Sequence, residues 1–142
     1  MKILLPVVLF FCFGAKGQTQ SLEGEWEGYF TQTLNRNKTF IKISFIKKED
    51  SIYYAYSTTA IKTDGRIDTV VCLLEGSFYR ANQVVLLKEK TVLKSSLKWE
   101  FKTCLQMMNL RLIKRKDTME LRGNWDADNC GEGRIYVYKV LK

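Results

Sequence analysis

Alternation with a period of two dominates this chain and restricts it to sheet. In a strand, successive side chains point to opposite faces, so a half-buried strand alternates apolar and polar residues. Gly24 to Gln32 shows the pattern: Gly24, Trp26, Gly28 and Phe30 share one face, and Glu23, Glu25, Glu27 and Tyr29 the other. Lys38 to Lys47 and Ile52 to Ala60 are the next two strands, with Lys48-Glu49-Asp50-Ser51 as the turn between them. Thr63-Asp64-Gly65-Arg66 is a second turn, because Asp-Gly tolerates the positive φ that a tight hairpin requires. Ile67 to Leu74 and Gly76 to Tyr79 follow, as two strands or one bent strand, then Gln83 to Glu89. Thr91 to Thr103 is expected to be a strand after a loop, since Leu97, Trp99 and Phe101 alternate. Met107 to Lys114 and Thr118 to Trp125 form a hairpin about Lys116-Asp117, and Arg134 to Leu141 is the last strand. No segment carries the 3.6-residue apolar period of a long helix.

A short pattern recurs three times: Leu22-Glu23-Gly24-Glu25-Trp26, Leu74-Glu75-Gly76-Ser77-Phe78 and Leu121-Arg122-Gly123-Asn124-Trp125. Leucine, glycine and aromatic lie two apart and so share a face. A glycine weakens a strand unless the strand bends there or another backbone comes close. Small residues beside large ones on the inner face suit the taper of a small barrel. The expected fold is therefore all-β and antiparallel, with about eight strands in an up-and-down barrel. A β-sandwich is the alternative.

The first residues follow a different rule. Lys2 precedes an apolar run from Ile3 to Phe13, and Ala15-Lys16-Gly17 supplies small residues where a signal peptidase cuts. The run is shorter than the roughly 20 residues that span a bilayer. Residues 1–17 are read as a signal peptide, and 18–142 as a single barrel-like domain outside the cytoplasm, periplasmic or extracellular. Cys12, preceded by Phe11 inside the apolar run, belongs to the leader rather than to a lipid attachment site. Removing the leader takes away Lys2 and Lys16 and no acid. The remainder keeps 21 of the 23 basic residues against 15 acidic ones, a net charge of +6.

Export permits disulfides, and Cys72, Cys104 and Cys130 remain. Cys104 lies 12 residues before Lys116 and Cys130 lies 13 after Asp117, so the two are nearly symmetric about the hairpin turn. This symmetry predicts a Cys104–Cys130 bridge. Cys72, between Val71 and Leu73, is expected to be a buried free thiol. Pairing Cys72 with either of the others would need a neighbour across the barrel.

A Gly-x-Trp early in the first strand of a small exported β chain, here Gly24 and Trp26, resembles the calycin group of lipocalin-like barrels. More widely, Leu22 to Gly28, Leu121 to Trp125 and Cys130-Gly131-Glu132-Gly133-Arg134-Ile135 resemble short uncharacterised secreted proteins of Gram-negative bacteria. The resemblance implies a β-barrel-like fold and brings no catalytic residues.

The chain contains no histidine. That removes the commonest general base and every Ser-His-Asp or Cys-His arrangement. Glu23, Glu25 and Glu27 lie about 7 Å apart on one strand face, which suits paired carboxylates, but they read as a solvated outer face. Asp126, Asp128 and Gly131 echo the start of a calcium loop, yet Cys130 takes the fifth position and Val137 the twelfth. Neither a metal nor a cofactor is expected. The cluster Arg111, Lys114, Arg115 and Lys116 reads as a solvated hairpin tip, and export argues against a nucleic-acid partner. The Asn37-Lys38-Thr39 sequon carries little weight in a chain of this kind.

What remains is binding. An eight-stranded barrel either fills its interior or holds one small ligand. Trp26, Phe30, Phe45, Phe78 and Trp125 could line such a cavity or pack into a solid core. The expected function is a non-enzymatic, extracytoplasmic binding protein for a small apolar ligand. The alternative is a cell-envelope protein that contacts a protein or an anionic glycan through a basic outer face. A membrane-spanning barrel is not expected, since such barrels usually close on an aromatic residue and this chain ends on Lys142.

Overall fold

The computed structural model describes residues 20–98 and 104–142. The expected leader, Trp99 and Phe101 lie outside them. Eight antiparallel strands form a closed up-and-down barrel in which each strand pairs with its sequence neighbours. They are β1 (Gly24–Gln32), β2 (Lys38–Lys47), β3 (Ile52–Thr63) and β4 (Arg66–Tyr79), then β5 (Val84–Ser95), β6 (Met107–Lys114), β7 (Thr118–Ala127) and β8 (Gly131–Val140). Pairing of β1 with β8, from Glu27 opposite Tyr138 to Gln32 opposite Gly133, closes the ring. That closure excludes the sandwich. Among the described residues no helix is long and apolar enough to cross a membrane.

The face assignment follows the alternation. In all three copies of the recurrent pattern the leucine and the aromatic are buried: Leu22 and Trp26, Leu74 and Phe78, Leu121 and Trp125. Glu23, Glu25 and Glu27 are exposed on the outer face. Asp64 and Gly65 both have positive φ, as a two-residue hairpin turn of this kind demands.

In the middle of the chain Ile67–Leu74 and Gly76–Tyr79 form one strand, β4, the second of the two readings the sequence left open. One expectation is corrected: no loop follows Glu89, and β5 runs unbroken from Val84 to Ser95. Opposite β4, the register skips Lys90 and then Leu93. Each skip is a bulge, an extra residue that bends one strand and shifts its alternation. Two bulges three residues apart blur the period-2 signal, so the segment reads as interrupted. At the ends, β3 extends beyond Ala60 to Thr63, and β8 begins at Gly131 rather than Arg134.

The two ends of the barrel differ. At one, the β2–β3, β4–β5 and β6–β7 turns are each tied to the adjoining strand by a backbone bond of 2.8 Å: Phe78 N–H to Ser51 O, Leu112 N–H to Gln83 O, and Leu141 N–H to Asp117 O. The segment before β1 plugs this end. Leu22 is fully buried, its carbonyl accepts the Trp26 indole N–H at 2.7 Å, and Lys139 Nζ donates to the Glu23 carbonyl at 2.7 Å. Trp26, Phe45 and Tyr53 meet edge-to-face behind it, with ring centroids 6.0 and 6.2 Å apart, a favoured aromatic geometry.

Candidate functional site

The opposite end is a cup. Its rim is formed by the β1–β2 loop, the β3–β4 turn, the chain entering β6, and the β7–β8 loop. The cavity has a volume of about 830 Å³, within the range of small-molecule sites. Phe30, Ile61, Val70, Leu97, Trp125 and Ala127 supply apolar wall; Asn35, Asn37, Lys38 and Lys62 stand at the mouth.

The cup divides the five aromatics that the sequence singles out. Phe30 and Trp125 stand on its wall, in an edge-to-face pair with centroids 5.3 Å apart. Trp26, Phe45 and Phe78 are buried but contribute no wall; they belong to the interior packing, Trp26 and Phe45 in the plugged half. The barrel is thus solid at one end and hollow at the other.

Cys104 and Cys130 are disulfide-bonded, with Cα atoms 6.2 Å apart, and both line the cup. The bridge ties the entry to β6 to the β7–β8 loop, so it holds one side of the rim. Cys72 is a buried free cysteine.

Sequence reasoning missed the chemically most distinctive group. Val85, Leu87 and Glu89 alternate on β5, and all three point inward. Glu89 is only 4% exposed and lies on the cup wall. Register assembles its surroundings. Ser57 on β3 is directly opposite Cys72 on β4, and Glu89 pairs with Leu74, two residues along from Cys72. Ser57 Oγ donates to Glu89 Oε1 at 3.1 Å, and the Gln106 backbone N–H donates to Oε2 at 2.9 Å. The Cys72 thiol is the third hydrogen-bond partner. Burial pushes the Glu89 carboxyl above its ordinary range, opposed by the Gln106 N–H and the two side-chain donors. Burial, reinforced by the adjacent Glu89 charge, pushes the Cys72 thiol up to about 12. A thiol held in that state is no nucleophile at neutral pH. The signal in the sequence was a carboxylate on the apolar face of a strand, at Val85-x-Leu87-x-Glu89.

The basic cluster lies apart from the cup. Arg111, Lys114, Arg115 and Lys116 are exposed around the β6–β7 turn, at the plugged end. Asp126 and Asp128 are exposed beside the β7–β8 loop. On the outer face Lys38 stands over the Tyr29 ring at 4.3 Å and Arg122 over Tyr136 at 4.9 Å. No protein-family model and no curated protein matches the chain.

Proposed function

We propose that the protein is a non-enzymatic, lipocalin-like binding protein that works outside the cytoplasm and holds a small, largely apolar molecule in the open cup. The observation that carries this reading is the asymmetry of the barrel. One end is packed solid around Trp26, while the other leaves about 830 Å³ beside Phe30 and Trp125. A chain under selection for stability alone gains by filling such a space, since lost packing contacts cost free energy. A disulfide across the rim favours a mouth held in one shape, and a preorganised site loses less entropy on binding.

A partner on the basic outer face has less behind it. Lys38 and Arg122 are already engaged on Tyr29 and Tyr136 of their own sheet. The test is titration with the neutral dye N-phenylnaphthylamine, whose emission rises in apolar surroundings. Wild type should bind one equivalent, and Val70→Trp, which fills the cup, should not. Equal binding by a folded Val70→Trp protein would place the dye elsewhere and refute the cup.

A further inference from the structure

Glu89 gives the cup a chemical preference. All of its partners are donors: the Ser57 hydroxyl, the Gln106 backbone N–H and the Cys72 thiol. The hydroxyl and the thiol can also accept, but the Gln106 N–H that meets Oε2 can only donate, and together the three donors offset part of the cost that burial places on the ionised form. An ionised carboxylate offers about four lone-pair positions, and three donors leave one open.

Lysines stand at the mouth of the cup, Lys38 and Lys62. Among the described residues, however, Glu89 has no ion-pair partner, although the chain holds 23 lysines and arginines. The other two buried acids show the contrast: Asp68 lies against Arg66, and Glu120 against Arg115 and Arg122. A buried charge is ordinarily paired, because leaving it unpaired is costly. Glu89 is instead unpaired and set in the wall of a cavity. We infer that the cup binds a primary amine with an apolar body, its ammonium group pairing with Glu89 and its body lying against Phe30, Val70 and Trp125. Thr59, buried on the same wall, offers a hydroxyl oxygen to a second N–H of the ammonium.

This inference rests on the cup being a binding site, and the test separates the two. Octylamine, octanol and octanoate share one apolar chain and differ only in the head. At neutral pH the first is a cation, the second neutral and the third an anion. Their affinities are measured by displacement of N-phenylnaphthylamine from wild type and from Glu89→Gln. Wild type should bind octylamine about tenfold or more tighter than octanol, the worth of a charge-assisted over a neutral hydrogen bond. Octanoate should bind weakest. Glu89→Gln should lose the preference for octylamine over octanol. Equal affinities for all three in wild type, or tighter binding of octanoate, would overturn the amine and leave the binding cup standing. Failure of the dye and all three probes to bind would remove the cup and the amine together. The ranking in wild type decides the matter even if the variant does not fold.

Discussion

The indole N–H of Trp125 donates a 3.0 Å hydrogen bond to the carbonyl oxygen of Thr31, although β8 lies between their strands. Gly133 makes this reach possible. It pairs with Trp125 on one side and with Gln32 on the other, and a Cβ there would overlap both Thr31 O and the indole nitrogen. A tryptophan thus lies across a glycine at the seam where the barrel closes. The same ring forms part of the cup wall, so barrel closure and site geometry share one contact.

Replacing Gly133 by alanine should therefore cost about 1–3 kcal/mol or more, the usual range for forcing extra volume into packed structure. Urea unfolding measures it. Trp125→Phe, which keeps a ring and loses the donor, should cost about 1 kcal/mol through the lost hydrogen bond alone. A Gly133→Ala protein as stable as wild type would show that the seam has room.

Trp26 anchors the plugged end. Trp26→Ala should destabilise the protein by about 3–5 kcal/mol, as truncation of a core aromatic does. If the protein still folds, its dye affinity should change little, because Trp26 contributes nothing to the cup wall. Trp125→Ala should lower both stability and dye affinity. Measured together, the two variants separate the solid end from the hollow one.

The disulfide closes a sequence separation of 26 residues. In the chain-entropy model such a loop is worth about 3–4 kcal/mol. Replacing Cys104 and Cys130 by serine should lower stability by that order and weaken dye binding as the rim loosens. Non-reducing peptide mapping should recover the two cysteines in one linked fragment, with Cys72 free. Cys72 should resist iodoacetamide in the folded protein at neutral pH and react on unfolding.

Stability should also report on Glu89. Its carboxyl is raised in the folded state by burial. The folded protein therefore holds this proton more tightly than the unfolded chain does. Its contribution is fully present below the ordinary glutamate range and is lost as pH rises through the raised folded value. At neutral pH the ligand-free protein carries the cost of an unpaired buried carboxylate. Glu89→Gln should then be more stable than wild type at neutral pH, with the advantage shrinking as pH falls. Thermal melts across that range, without ligand, measure the crossover. A Glu89→Gln protein less stable than wild type at every pH would mean that the three donors outweigh the burial.

Much of this protein was legible because strand alternation is a local property. Period two assigned Leu22, Trp26, Leu74, Phe78, Leu121 and Trp125 to the interior without knowledge of any strand's partner. The near symmetry of Cys104 and Cys130 about Lys116-Asp117 did the same for the bridge, since a hairpin folds back on itself. Only the closed barrel decided which inward residues pack and which face a void. Trp26 and Trp125 occupy equivalent places in the recurrent pattern, yet one lies under the plug and the other on the cup wall. That difference comes from Leu22 and the segment leading into β1, which cover one end of the barrel and not the other. Glu89 depended on tertiary structure most. Its sequence neighbours show a carboxylate on an apolar face; they do not show that Ser57, 32 residues earlier, and Gln106, 17 residues later, arrive as donors. Those meetings are set by the register of three strands and the two bulges in β5, which are long-range pairings that no local period encodes.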